Sequence, residues 1–306
     1  MKLLVASSSP VAKPLITALI ASNKHEFGGL ITNPDKATGR GMQIEANELA
    51  LWASSEKISI SKPESNDDLK SLLLSAKTDL VITIAYGKLI PQDLLQLPKY
   101  GWINVHFSKL PKWRGAAPVQ WAILSGDKTS GITVFQLDKG MDTGPTYLTH
   151  EIDINPMERS DELLDRLSVI GADLAIKTVD LISQNVSPSP QSDIDVSLAP
   201  KFKKSDGKLD WSMPSDQIFN KYRALAANPG VWTMLGDLRL KIDGLRISYG
   251  MEKIAPGSVV IEGEKLFIGA ANGVIEIEKL TPAGRNQMSA GEFIRGLINR
   301  EGLSVG

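Results

Sequence analysis

Two short runs constrain this chain more than any other feature: DLVITIA at residues 79–85 and WINVH at residues 102–106 are apolar almost throughout. A strand that is hydrophobic on both faces must be buried on both, which marks a central strand of a parallel sheet covered by helices. The flanking sequence agrees. Residues 2–6 (KLLVA) form a similar run, and after the turn SSSP the residues Val11, Leu15, Ile16 and Leu19 recur at helical spacing. A strand is predicted near 27–32, a helix near 47–56, a short strand at 58–60 and a helix near 67–75. This β-α-β rhythm predicts an α/β domain with a mostly parallel sheet and helices on both faces. Ligands of such sheets bind at the carboxyl ends of the strands, and both His106 and the AYG at 85–87 fall at such ends.

The pattern then changes. GITVFQLD (131–138) and PTYLTHEIDI (145–154) alternate as an antiparallel pair would, and an amphipathic helix over 161–183 closes the domain. Residues 185–208 are rich in Ser, Pro and charge and have no period, so they read as a linker running over the surface. Beyond residue 209 a helix (215–227) precedes short strands punctuated by glycine, which suggests a small OB-like β-barrel capped by a helix at 290–299. The expected division is a catalytic domain over 1–184, a linker over 185–208 and an OB-like domain over 209–306.

Composition removes several classes of chemistry. There is no Cys, so disulfides, thiolate catalysis and Cys-ligated zinc or iron are excluded, and with only His25, His106 and His150 a His-rich metal centre is not expected. Lys and Arg number 34 against 35 Asp and Glu, giving a formal charge of -1, so no global field attracts nucleic acid. RNA contact would fall to a local cluster, and Lys201, Lys203, Lys204 and Lys208 form one. The N-terminal apolar run is too short for a signal-peptide core, and no window approaches the roughly 18 apolar residues of a membrane span. A cytoplasmic protein without a membrane partner is the expectation.

The chemistry concentrates in WINVHFSKLPKWRGAAP (102–118) and LDKGMDTG (137–144). Asn104 and His106 stand two residues apart on a strand and so share a face, while Asp142 offers a carboxylate from a second loop. An amide, an imidazole and a carboxylate converging on one point can hold an oxyanion and move a proton, the chemistry of acyl transfer. Singly, each has an ordinary structural use: a satisfied His, an amide pairing with backbone near a turn, an Asp in a turn or helix cap. Their combination favours chemistry. The loop SKLPKWRGAAP also reads as a rigid strand-to-helix connection, with Pro118 near the first turn of the helix. A further Gly-rich loop, TNPDKATGRGMQ (32–43), lacks dinucleotide or P-loop spacing. On residues alone its Arg40 belongs to a solvated loop; the other reading is an arm offering a guanidinium to a phosphate or a base edge.

These segments resemble the active-site signature of formyltransferases that use 10-formyltetrahydrofolate, in the branch of that family that acts on charged initiator tRNA. The likeness extends to AYGKLIP (85–91), NPD…GRG (33–41), LDW (209–211), NPG (228–230) and PAG…MSA (282–290). The resemblance implies a Rossmann-like catalytic domain, a linker and an OB-like domain. It implies attack by the methionine α-amine of initiator Met-tRNA on the formyl carbon of the folate, giving formylmethionyl-tRNA for translation initiation. Asn104, His106 and Asp142 become the catalytic trio: Asn104 and His106 hold the oxyanion, and Asp142 orients or charges His106 and relays the proton. The pterin is expected against the backbone of Ala85, Tyr86, Gly87, Leu89, Ile90, Pro91, Leu137 and Gly140, with Ser108, Leu110 and Pro111 completing the folate site. Arg40 matches the loop that grips the tRNA acceptor end. Phe107 stands where the family pattern has Gly, and Lys109 where it has Leu. The competing readings are a sugar-nucleotide amine formyltransferase, a formyltetrahydrofolate hydrolase and a non-catalytic RNA-binding protein. The GRG loop and the lysine cluster favour an RNA partner. A monomer with no DNA partner is expected.

Overall fold

The computed structural model describes residues 1–38 and 43–306. By contacts the chain divides into two compact units: Met1–Pro118, Thr129–Asp153 and Leu163–Pro200 make one, and Val119–Lys128, Ile154–Glu162 and Lys201–Gly306 the other. These cuts differ from the expected boundaries at 184 and 208. Two short excursions of the first half count with the second unit, and residues 185–200 count with the first.

Along the first half and into the long helix the elements are β1 (Lys2–Ala6), α1 (Lys13–Ser22), β2 (Glu26–Ile31), the ribbon β3 (Lys36–Thr38) and β4 (Gln43–Glu45), α2 (Glu48–Ser55), β5 (Ile60–Ser61) and α3 (Asn66–Ala76). They continue through β6 (Leu80–Thr83), α4 (Gln92–Leu95), β7 (Trp102–His106), α5 (Pro118–Leu124), β8 (Thr129–Gln136), β9 (Thr146–Asp153) and α6 (Ser160–Ser183). The sheet has seven strands in the order β5-β2-β1-β6-β7-β8-β9. The pairs from β5 to β7 are parallel, and β8 and β9 run antiparallel. The chain leaves β1 towards β2 and β5 on one side and later fills β6 and β7 on the other, so a crevice opens where the order reverses. The two apolar runs account for the centre: every residue of β6 is buried, and in β7 only Asn104 is less than fully so.

Local chemistry fixes the ends of the helices. The Asn47 side chain accepts from Ala50 N at 3.0 Å at the start of α2, and Ser65 with Asp68 forms a capping box at the start of α3. Beneath the sheet, Leu4, Ile31, Leu69, Leu73, Val81, Tyr86, Leu94 and Trp102 pack as one cluster. Trp102 is fully buried and its Nε1–H donates to Leu94 O at 2.9 Å, which satisfies the indole and anchors the start of β7.

The second unit contains α7 (Ser215–Leu225), β10 (Val231–Leu235), β11 (Leu238–Ser248), β12 (Val259–Glu262), β13 (Lys265–Gly269), β14 (Val274–Pro282), β15 (Met288–Ser289) and α8 (Ala290–Arg295). Its antiparallel sheet runs β10-β11-β14-β13-β12, with β15 paired to β14. The register of β11 against β14 slips at Gly244, where a bulge lets one long strand bend. The two outer strands are joined by the segment 303–306. Met234 and Gly306 exchange backbone hydrogen bonds at 3.2 and 3.0 Å, while Val305 N donates to Gly257 O at 2.8 Å and Val259 N to Leu303 O at 3.0 Å. The sheet thereby closes on itself, as a barrel must to lose its edges. Leu240, Ile242, Leu266, Ile268, Ile277, Leu280 and Phe293 are buried in this unit. The last helix stops at Arg295, short of the predicted 299. Among the described residues no helix is long and apolar enough to cross a membrane.

Candidate active site

β7 places Asn104 and His106 on one face because successive side chains of a strand alternate. Its neighbours fix both. Thr83 on β6 lies directly beside Asn104 in the parallel register, and its hydroxyl is 2.8 Å from Asn104 Oδ1 and 3.1 Å from Ile103 O. With the carboxamide oxygen held by Thr83, the Asn104 NH2 is the free donor end, without a partner among the described residues. Thr83 escaped the sequence reading because only the strand register brings it to Asn104.

His106 is 5% exposed. Its Nε2 lies 2.9 Å from Trp113 O, and since a carbonyl only accepts, Nε2 carries the hydrogen. Nδ1 then faces Asp142 Oδ2 at 3.6 Å. Burial pushes the imidazole below its ordinary 6.5, while the Asp142 charge and the Trp113 carbonyl act in the opposite direction. The neutral ring therefore presents a lone pair beside a carboxylate, and one proton can bind between them. The same Asp142 oxygen accepts from Gly115 N at 2.8 Å, so the two loops meet at this carboxylate. Because Nε2–H is taken by Trp113, the ring donates to a substrate oxygen only through Nδ1, once protonated.

The Asp142 loop takes an unexpected path. Gln136 pairs with Ile103, at the beginning of β7, and Leu137 N donates to Trp102 O at 2.8 Å. The loop thus leaves β8 beside the wrong end of β7 and must return about 10 Å, three strand residues, to reach His106. Asp142 thereby meets His106, the last residue of β7, and Gly115 in the loop that follows it. The loop closes on itself: Gln136 N donates to Pro145 O at 2.9 Å, and a Cβ on Gly144 would lie 1.8 Å from Gln136 O. Three non-glycine residues of the site loops are left-handed: Ala85 at φ 47°, Trp113 at φ 62° and Asp142 at φ 54°. Such conformations persist only where surrounding contacts over-determine them.

For Trp113 and Asp142 those contacts come from the segment that composition marks as a linker. Residues 185–200 stay on the surface but form a strap across both loops. Trp113 N donates to Ser197 Oγ at 2.9 Å and Arg114 N to Ser197 O at 2.9 Å, while Ala199 N donates back to Arg114 O at 2.7 Å. A Cβ on Gly115, at φ 126°, would meet Ala199 O at 2.7 Å, so only glycine lets the strap approach this closely. Gln191 Nε2 donates to Asp142 O at 2.8 Å and to Gly144 O at 2.7 Å, and its Oε1 accepts from Arg114. Gln191 and Ser197 were missed because a run without period carries no pairing signal.

The expected folate residues divide into two groups. Ala85, Gly87 and Pro91 sit in the loop that leaves β6, next to Asn104, and Leu89 there is exposed. Tyr86 and Ile90 turn into the core, and burial pushes the Tyr86 hydroxyl up to about 12, so the ring is structural and the turn faces outward through its backbone and the exposed Ala85, Lys88 and Leu89. Leu137 packs against the same cluster. Ser108 is buried with its hydroxyl donating to Lys112 O at 2.5 Å, and Leu110 N donates to Thr133 Oγ1 at 3.1 Å. Leu110–Pro111 is a cis peptide. Gly140 N donates to Asp138 Oδ1 at 2.9 Å.

Phe107 is buried, with a ring atom 3.5 Å from where a Cβ on Gly171 of α6 would stand, and its φ is not left-handed. The ring therefore goes to the helix on the far side of the sheet from His106, in space left by Gly171. Lys109 turns outward to pair with Glu151. Arg40 lies outside the described residues. Lys201, Lys203, Lys204 and Lys208 are exposed on the second unit. Lys208 lies 6.0 Å from the Trp232 ring and Arg239 4.1 Å from it, so a basic and aromatic face forms there that includes Arg239, missed in the sequence because it sits on a strand far from the cluster.

The comparisons bear on what this geometry does. The formyl transferase family model matches residues 1–179, and the model of the formyl transferase C-terminal domain matches 201–297. The chain is 38% identical to a methionyl-tRNA formyltransferase of Thermobifida fusca, over 100% of this chain and 99% of that one. It is 35% identical to a methionyl-tRNA formyltransferase of Salinispora tropica, over 97% of each. Among solved structures it resembles HypX of Aquifex aeolicus in complex with tetrahydrofolic acid, at a TM-score of 0.68 and 16% identity, covering 97% of this chain and 48% of that one. The chain thus spans about half of HypX, and that likeness speaks for the fold.

Proposed function

The chain belongs to the formyltransferase family, and from that premise we propose that it moves a formyl group from 10-formyltetrahydrofolate to the α-amine of methionine on initiator Met-tRNA. The observation that carries the reading is the meeting of His106 Nδ1 and Asp142 Oδ2 at 3.6 Å on the face that also holds Asn104. The amine nitrogen attacks the formyl carbon, and negative charge grows on the formyl oxygen. The Asn104 NH2, held in place through Thr83, donates to that oxygen. The amine proton passes to the His106–Asp142 pair, whose neutral ring has a lone pair to receive it. As the bond from the formyl carbon to N10 of the folate breaks, the pair returns that proton to N10, leaving formylmethionyl-tRNA and tetrahydrofolate.

The folate lies against the backbone of 85–91 and 137–142, with Tyr86 and Ile90 turned into the core beneath it. The tRNA is bound by Arg40 and by the exposed Lys201, Lys203, Lys204 and Lys208, with the catalytic domain over 1–184 and the tRNA-binding domain over 209–306. One chain supplies the whole trio, so a monomer in the cytoplasm suffices. A sugar-nucleotide acceptor is less favoured, since that reading gives the lysine cluster nothing to bind. His106→Ala tests the proposal. Turnover with Met-tRNA is expected to fall by about 10²-fold or more, with tRNA affinity nearly unchanged; undiminished turnover would remove His106 from the mechanism.

A further inference from the structure

Gln191 touches neither the trio's reacting atoms nor the loop at 85–91, yet from the strap its side chain reaches both catalytic loops. Its Nε2 donates to the backbone carbonyls of Asp142 (2.8 Å) and Gly144 (2.7 Å), which uses both amide hydrogens. Its Oε1 accepts from Arg114 Nη2 at 2.7 Å and Nε at 3.2 Å, in the turn that carries Trp113 and Gly115. Those two loops meet otherwise through the Asp142 carboxylate: Gly115 N donates to Asp142 Oδ2, and Trp113 O receives His106 Nε2–H. Asp142 and Trp113 are both left-handed, at φ 54° and 62°, so each needs outside contacts to hold its shape.

We propose that Gln191 is a positioning residue of the formyl-transfer reaction, a cross-link that holds the Asp142 loop at the distance from His106 where one proton can be shared. The inference rests on the formyl-transfer reading above. Only a carboxamide fits the place. Two carbonyl acceptors on one side demand an NH2, and a guanidinium on the other demands an oxygen, at the two ends of one rigid plane. A glutamate supplies no hydrogen to Asp142 O and Gly144 O, and a lysine supplies no acceptor to Arg114. The chemistry is sensitive to such a link, since a displacement of about 1 Å at a reacting group can cost about 10²-fold in rate.

Truncation should not unfold the protein. Gln191 lines an open cleft of about 400 Å³ together with Arg114, Thr143, Pro145, Pro190 and Asp193, so water can enter where the side chain is removed. The test uses the full chain with Met-tRNA and 10-formyltetrahydrofolate, comparing wild type, Gln191→Ala, Gln191→Glu and His106→Ala. The expected result for Gln191→Ala is a kcat about 10- to 100-fold lower, KM for both substrates within about threefold, and a His106 imidazole titrating at lower pH, because a loosened Asp142 charge supports the protonated ring less. Gln191→Glu keeps the acceptor for Arg114 and removes the donors, so it should melt like wild type and still lose kcat. Wild-type kcat and His106 titration in either folded Gln191 variant, while His106→Ala is impaired, would overturn the positioning role alone. Full activity of His106→Ala would overturn the formyl-transfer reading of the site and this inference with it.

Discussion

His106 is a buried base whose proton affinity is set by opposing neighbours. Burial lowers it and the Asp142 carboxylate raises it, with burial the larger effect. Removing the carboxylate must lower it further. The three histidines of the chain make this directly observable: in an NMR titration the His106 signal should move below the ordinary 6.5, and in Asp142→Asn lower still. A midpoint that rises on that substitution would contradict the assignment of Asp142 as the partner. The same shift carries a sign for stability. The unfolded chain takes up this proton near 6.5 and the folded chain only at lower pH, so His106 contributes a loss of stability as pH falls through that window. Much of this residue-scale site was legible beforehand. Asn104 and His106 follow from strand alternation, and Asp142 from a Gly-bracketed carboxylate. Thr83 and Gln191 were not, because sheet register and the fold of an aperiodic segment place them, and neither leaves a local mark in sequence.

At the scale of elements the packing of β7 against α6 answers the departure at Phe107. Alternation sends Phe107 away from His106, and Gly171 in α6 leaves the space its ring fills. Phe107→Ala is therefore expected to lower unfolding free energy by about 3–5 kcal/mol, the range for emptying a buried aromatic site. Thermal denaturation measures that loss, and folate affinity of the folded variant should be near wild type. A variant that melts normally but loses folate would place the ring in the pocket after all. The longer helices and the central strands were legible from periodicity and apolar runs, to within a few residues at their ends, while the one-turn α4 was not. The strap was not: residues 185–200 have the composition of a linker, and what holds them is hydrogen bonding to two loops, which composition does not record. Nor was the path of 137–144, since a strand pair predicts only that a loop exists and not that it returns to the far end of β7.

At the scale of the whole molecule, the sequence indicated a parallel-sheet unit before an antiparallel one and missed how the second closes. The closing segment 303–306 is too short to show a period, and it pairs with β10 and with the approach to β12. The chain as a whole carries a formal charge of -1, yet the exposed lysines between 201 and 208 and the Arg239–Trp232 stack give the second unit a local cationic face suited to a polyanion. On the proposed reading this face takes the RNA acceptor. The most direct test gives the wild-type protein labelled 10-formyltetrahydrofolate with initiator Met-tRNA and an amino sugar nucleotide in parallel. The account predicts label on the methionine amine and none on the sugar; label on the sugar alone, or released as formate with neither acceptor formylated, would contradict it.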